Sequence, residues 1–80
     1  MSGQEDKALK LAHLEHLKAE AEKAYDGMYD SRYPTGDYAD AKDWFLESIK
    51  YAGENGFTEE AEALEKRLAH VKAVFRSQFT

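Results

Sequence analysis

The residues of this chain best suited to chemistry are two histidines with a metal-ligand spacing, His13 and His16. On a helix their imidazoles lie one turn apart, and Glu20 follows His16 by four positions, so the three form a set suited to zinc or a similar ion. The HExxH zinc pattern is absent, because these histidines are three positions apart and Glu15 lies between them. Solvated helical histidines explain the pattern equally well, and we expect no metal, cofactor or catalytic residue.

A second group of chemistry-bearing residues is acidic and aromatic and occupies the middle of the chain. It lacks the alternating carboxylates and central glycine of a calcium loop, and no pair stands out as general acid and base. Helix capping and a solvated face account for much of it. The functional interpretation is a groove in which rings anchor a partner inside an acidic rim. The residues are Asp26, Asp30, Asp37, Asp40 and Asp43, with Tyr25, Tyr29, Tyr33, Tyr38 and Trp44.

Composition disfavours most other kinds of site. The 80 residues include no cysteine, so disulfides and cysteine-ligated zinc are excluded. No Gly-x-Ser-x-Gly setting or phosphate-binding glycine loop occurs, and we expect no enzyme activity. Residues 20–65 hold thirteen acids and four bases, which disfavours nucleic acid as a partner. No apolar run approaches the roughly 18 residues of a spanning helix, and no signal peptide is evident, so we expect a cytoplasmic protein without membrane contact.

Three amphipathic helices are predicted to position these residues, over about residues 5–30, 38–52 and 59–78. Each has an apolar face at a spacing of three or four residues. The predicted faces are Leu11, Leu14, Leu17, Ala21, Ala24, Tyr25 and Met28; Tyr38, Ala41, Phe45, Ser48, Ile49 and Ala52; and Ala61, Leu64, Leu68, Val71, Phe75 and Phe79.

The connections between the helices are short. Pro34 is expected to end the first helical region, with Asp37 as the N-cap of the second helix. Gly53 is expected in the left-handed conformation, Asn55-Gly56 in a turn, and Thr58 as the third N-cap. Short connections make consecutive helices antiparallel. The sequence therefore predicts one all-α domain over residues 1–80, a three-helix up-down-up antiparallel bundle.

One stretch of the second helix resembles a motif of a known family. It reads Gly36-Asp37-Tyr38-x-x-Ala41-x-x-x-Phe45-x-x-Ser48. It is similar to the second half of a tetratricopeptide repeat (TPR), where a glycine-containing turn precedes a small residue and, four positions on, an aromatic one. The tryptophan and leucine of the first half are absent, and no second repeat follows. The resemblance implies a single TPR-like hairpin.

The size and helix order are also similar to MIT domains, three-helix bundles that bind amphipathic peptide helices. Both resemblances imply protein–protein interaction. We therefore expect a small helical module that binds a protein or peptide, basic and amphipathic, in a groove beside the second helix. The expected partner-binding residues are Tyr25, Tyr29, Tyr33, Trp44 and Tyr51.

Two other functions are also compatible with the sequence. One is a self-associating structural protein, a homodimer in which Leu9, an overhanging first helix, and Val74 with Ala63 pair across a two-fold axis. The other is a small metal-binding or enzyme-accessory subunit centred on His13 and His16.

Overall fold

Three helices make up the described chain. A computed structural model describes the backbone of residues 2–79 and the side chains of residues 6–79. Helix α1 spans Ser2–Asp30, α2 spans Pro34–Glu54 and α3 spans Thr58–Gln78, and residues 2–79 contain no strand. The predicted all-α class is confirmed. Met1 and Thr80, the ends of the predicted domain, lie outside the described residues.

Each helix buries the centre of the apolar face that its sequence predicts. The other members of the predicted faces are half-buried: Leu11, Ala24, Tyr38, Ile49, Ala61, Phe75 and Phe79. The buried residues are Leu14, Leu17, Ala21, Tyr25 and Met28 on α1; Ala41, Phe45, Ser48 and Ala52 on α2; and Leu64, Leu68 and Val71 on α3. The Ser48 hydroxyl, the one polar side chain among them, donates to the Trp44 carbonyl oxygen at 2.8 Å. A buried hydroxyl with a backbone acceptor on its own helix avoids the cost of an unpaired polar group.

Ring contacts establish the direction of the helices. His13, early in α1, lies 4.7 Å from Tyr51, late in α2, between ring centroids. Tyr38, early in α2, stacks on Phe75, late in α3, at 3.9 Å. Consecutive helices are therefore antiparallel, and the predicted up-down-up bundle is confirmed, with α2 packed against both neighbours.

The connection between α1 and α2 is shorter than predicted. Helix α2 begins at Pro34 with Tyr33 as its N-cap, so Asp37 lies inside the first turn and is not the cap. Proline suits this position because the first helical residue needs no amide hydrogen and has the φ that proline fixes. Asp37 instead places its charge near the positive end of the helix dipole. The proline thus starts α2 as well as ending the region before it.

The connection between α2 and α3 also differs in detail. Gly53 is helical, and Gly56 is the residue with positive φ, at 79°. The helix continues to Glu54 because the Asn55 side chain donates to the Tyr51 carbonyl oxygen at 2.8 Å and supports its last turn. Phe57, without a side-chain capping bond, is the N-cap of α3, and Thr58 is its first residue. The predicted Asn55-Gly56 turn is confirmed; the Gly53 and Thr58 assignments are wrong.

The bundle is long and thin, with extents of 49 × 19 × 12 Å. The 29 residues of α1 correspond to about 44 Å of helix, against about 32 Å for either other helix. The first turns of α1 are exposed over residues 6–10 and lie beside the turn at Asn55–Phe57. Across residues 2–79, none of the three helices combines the length and apolar character required to cross a lipid bilayer.

Candidate functional site

The interface between α1 and α3 is closed by charged side chains. Arg67 of α3 donates two hydrogen bonds to Glu22 of α1, at 2.8 and 2.7 Å. Lys18 of α1 contacts Glu60 of α3 at 3.2 Å and Glu15 of its own helix at 3.3 Å. We call these residues, together with Tyr25, the α1–α3 interface. Its long side chains join two helices that α2 holds apart.

The electrostatics of the α1–α3 interface favour its charged forms. The hydrogen bond with Glu22 raises the pKa of Arg67, outweighing the opposing effect of burial. Burial also lowers the pKa of Lys18, but hydrogen bonds to Glu60 and Glu15 raise it by more. Both cations are therefore held in their protonated forms by the carboxylates they contact.

Aromatic rings continue this interface toward the end of the bundle. The Tyr25 and Tyr29 hydroxyls are 2.9 Å apart, and Tyr29 lies edge-on to Phe79, the C-cap of α3, at 5.5 Å. Phe79 in turn stacks near Phe75, which stacks on Tyr38 of α2. The hydrogen bond to Tyr29, followed by burial, raises the pKa of Tyr25. These tyrosines consequently connect all three helices.

The opposite edge of α1 forms an open groove with α2, centred on Trp44. Two depressions, of about 300 and 240 Å³, both reach the half-buried Trp44 and share Asp40. On α2 the lining residues recur at spacings of three and four, so they share one helix face. We call this surface the Trp44 groove. It consists of Glu20, Lys23, Ala24 and Gly27 of α1 and Asp37, Asp40, Asp43, Trp44 and Glu47 of α2.

The Trp44 groove is strongly acidic and its charges are unpaired. It carries five carboxylates and one amine, that of Lys23, a net charge of −4. Within residues 6–79, none of these six groups takes part in a salt bridge, and all three salt bridges lie elsewhere, at Lys18 and Arg67. Like charges on neighbouring helical turns repel one another, so the electrostatic potential of this groove is negative.

The structure divides the five aromatic residues expected to bind a partner. Trp44 alone lines the groove beside α2. Tyr25 is 7% exposed and belongs to the core, whereas Tyr29 is 50% exposed at the α1–α3 interface. Tyr33 is 79% exposed in the first connection, and half-buried Tyr51 packs against His13. No single surface of the described chain brings all five together.

The histidines are placed further along the same side of the α1–α2 pair. The His13 and His16 rings are 6.4 Å apart, and the first of them packs edge-on against Tyr51. Among the described residues, no three histidine, aspartate or glutamate side chains are grouped closely enough to hold a metal ion. The contact gives His13 a structural role as a packing partner of Tyr51.

The residues considered for self-association are scattered. Leu9 is 69% exposed on the first turns of α1, Ala63 is exposed, and Val74 is half-buried against the core. Leu46, which is 53% exposed on α2, adds another isolated apolar side chain. Single exposed apolar residues are common on protein surfaces and do not by themselves indicate an interface.

Sequence reasoning found the α2 side of the groove and missed the α1 side. The sequence predicts Asp37, Asp40, Asp43 and Trp44 near a binding groove. The sequence pattern assigns Glu20 only to the candidate metal set and assigns no role to Lys23. The available signal was helical phase: Glu20, Lys23 and Gly27 recur at spacings of three and four on the side of α1 that faces Trp44 once the helices are antiparallel.

Comparisons with known proteins returned no matching protein-family model, no matching curated protein and no matching solved structure. The resemblances to TPR hairpins and MIT domains therefore stay predictions.

Proposed function

We propose that this protein is an interaction module that holds a basic, amphipathic helix of a partner protein in the Trp44 groove. The observation that carries the proposal is the combination of a half-buried tryptophan with five carboxylates that have no cationic partner within the described residues. Tryptophan is enriched among the residues that dominate binding energy at protein interfaces.

The dimensions of the groove suit a short helix. Asp37 and Glu47 are ten residues apart on α2, which is about 15 Å of helix axis. A partner helix of about 10–15 residues, or about three to four turns, covers that length. Its apolar stripe would pack along Ala24 and one edge of Trp44, which leaves the face of the ring to a flanking lysine or arginine.

Charge would act mainly on the rate and specificity of association. The groove carboxylates are mostly exposed, so each contributes little affinity in physiological salt, where the Debye length is about 8 Å. Together they attract cationic partners and repel acidic ones and phosphate backbones. The apolar contact at Trp44 supplies the part of the binding energy that salt does not screen.

The proposal is tested by amide chemical-shift mapping of the uniformly ¹⁵N-labelled protein. The probe is a synthetic 14-residue helical peptide with leucines on one face and lysines on its flanks. We expect shift changes concentrated at Gly27, Asp40 and Trp44, and weaker binding at 0.5 M salt. The control peptides are a scrambled sequence and a version with glutamate in place of lysine.

Two results would overturn the proposal. One is the absence of localised shifts with the basic peptide at millimolar concentration. The other is light scattering that shows a dimer whose dissociation is required before the Trp44 groove responds, which would make a second copy of this chain the occupant. A monomer that binds the basic peptide and not its scrambled control supports the proposal.

A further inference from the structure

Cations already lie over aromatic rings at two places in this bundle. The Arg67 guanidinium is 5.0 Å from the Tyr25 ring centroid while its N–H groups bond to Glu22. The Lys42 amine lies 4.8 Å from the Tyr38 centroid. Both distances are within the range of a favourable cation–π contact. The first of these places combines three elements: a ring, a carboxylate and a guanidinium.

Trp44 has two of those three elements. Its ring is the type that binds cations best. Asp40, Asp43 and Glu47 lie four and one positions before it and three positions after it, around the same depression. Among the described residues, however, both cation–ring contacts are made to tyrosines and none to Trp44. Lys23 lines the adjoining depression without reaching the ring in such a contact.

We infer that the missing element is supplied in trans, and that an arginine side chain of the partner anchors in the Trp44 groove. The guanidinium lies over the Trp44 ring and donates to carboxylates among Asp40, Asp43 and Glu47. This inference rests on the proposed function and specifies the chemistry of its central contact. It predicts that recognition depends on one arginine more than on the partner's total charge.

Arginine fits this position better than lysine for three reasons. Its planar guanidinium stacks on a ring and still directs N–H groups sideways to carboxylates, as Arg67 does between Tyr25 and Glu22. It is more weakly hydrated than an ammonium group, so moving it against an apolar ring costs less. The depression of about 300 Å³ is at the small end for ligand pockets and suits a single side chain.

The test uses three helical peptides that differ at one central position, occupied by arginine, lysine or citrulline. Citrulline keeps the shape of arginine and removes its charge. Dissociation constants come from calorimetry, because substitution of Trp44, the only tryptophan, would remove the fluorescence signal. We expect the arginine peptide to bind about 5- to 30-fold more tightly than the citrulline peptide, with the lysine peptide between them.

Variants of the protein test whether the preference for arginine over citrulline arises in the Trp44 groove. Trp44→Leu and the doubly neutralised Asp40→Asn, Asp43→Asn protein should each reduce the arginine-to-citrulline ratio toward one. The double variant changes only exposed side chains, so it should stay folded even if Trp44→Leu unfolds. Glu62→Gln, which neutralises an exposed carboxylate on α3, is the matched control and should leave the ratio unchanged. Lys23→Ala should raise the affinity, because it removes a competing positive charge.

The outcomes separate this inference from the function on which it rests. Equal binding of the arginine and citrulline peptides overturns the arginine anchor and leaves peptide binding intact. An arginine preference that persists in the double-neutralised variant also overturns it. Failure of every peptide to bind the wild-type protein overturns the proposed function as well.

Discussion

At the α1–α3 interface, Lys18 and Arg67 each meet a carboxylate of the facing helix, whereas the carboxylates of the Trp44 groove meet no cation within the described residues. Both surfaces combine aromatic rings with acids, and both are partly exposed. The difference lies in whether the fold itself supplies the positive charge. Where it does, the charges orient two helices; where it does not, the charges are available to a second molecule.

The largest effect is expected from a substitution in the core that the three helices share. Phe45 is fully buried on α2, between α1 and α3. Phe45→Ala should lower the free energy of unfolding by about 3–5 kcal/mol, because a large cavity opens in a small core. Urea denaturation followed by circular dichroism measures it. Leu46→Ala, at the exposed neighbour, should change stability by less than about 0.5 kcal/mol. Equal losses in the two variants would contradict the burial of Phe45 in the core.

A substitution of Tyr25 tests the aromatic part of the α1–α3 interface. Tyr25→Phe removes the hydroxyl that contacts Tyr29 and should lower the free energy of unfolding by about 1 kcal/mol.

The raised pKa of Tyr25 also predicts a pH dependence. The folded state favours the neutral phenol, so the full contribution is present below about pH 10. Above that pH the unfolded chain ionises first, and stability is lost as pH rises through the pKa of the folded state. Lys18, whose pKa is also raised, loses its protonated form in the same alkaline range. Stability measured from pH 8 to 11 should fall less steeply in Tyr25→Phe than in the wild type, and parallel curves would contradict this.

A matched pair of neutralised carboxylates compares the two surfaces directly. Glu22→Gln weakens the contact with Arg67 and should cost about 0.5–1 kcal/mol, a small value because these side chains are 42% and 39% exposed. Asp40→Asn should be neutral or stabilise by about 0.2–0.5 kcal/mol, since it relieves repulsion from Asp37 and Asp43. The contrast should shrink in 1 M salt. A loss of stability in Asp40→Asn would mean that the groove charges stabilise the fold.

A small gain of stability is expected from a substitution on the α1 side of the Trp44 groove. Gly27 is helical, and a Cβ there would lie 3.7 Å from an Asp37 oxygen, an ordinary contact. Gly27→Ala should therefore raise the free energy of unfolding by about 0.4–1 kcal/mol. Gly56→Ala is the opposite control and should destabilise, because its φ of 79° is disfavoured for residues with a side chain. Thermal denaturation of both variants distinguishes a loosely packed groove from a close-packed one.

The fold was largely predictable because it follows from helical periodicity. The spacings of Leu14 to Met28, Ala41 to Ala52 and Leu64 to Val71 predicted the buried faces correctly. The capping positions were less predictable. Pro34 can end one helical region or begin the next helix, and Gly53 can end a helix in the left-handed conformation or lie inside its last turn. The choice depends on the hydrogen bonds around each residue. In the second case both the side-chain amide and the backbone N–H of Asn55 donate to the Tyr51 carbonyl oxygen and extend α2 past Gly53.

The candidate site was only half predictable. A sequence can show that Trp44 and its acidic neighbours share one face of α2. It cannot show which residues of α1 face them, since that depends on the register between two helices. The sequence also does not indicate that Glu22 pairs with Arg67, 45 positions away. Without such pairings it cannot show which carboxylates have a cationic partner in the fold and which do not.

The elongated envelope has a consequence for how the protein tumbles. The radius of gyration is 14.0 Å, whereas a globular chain of this length has about 12 Å. A 49 Å rod rotates more slowly end over end than about its own axis. Helical N–H bonds lie along that axis and report the slow rotation, while N–H bonds in the two connections point in other directions. Nuclear spin relaxation therefore depends on the angle between an N–H bond and the long axis. In a complex with a labelled partner helix, it would show whether that helix lies parallel to the bundle or across it.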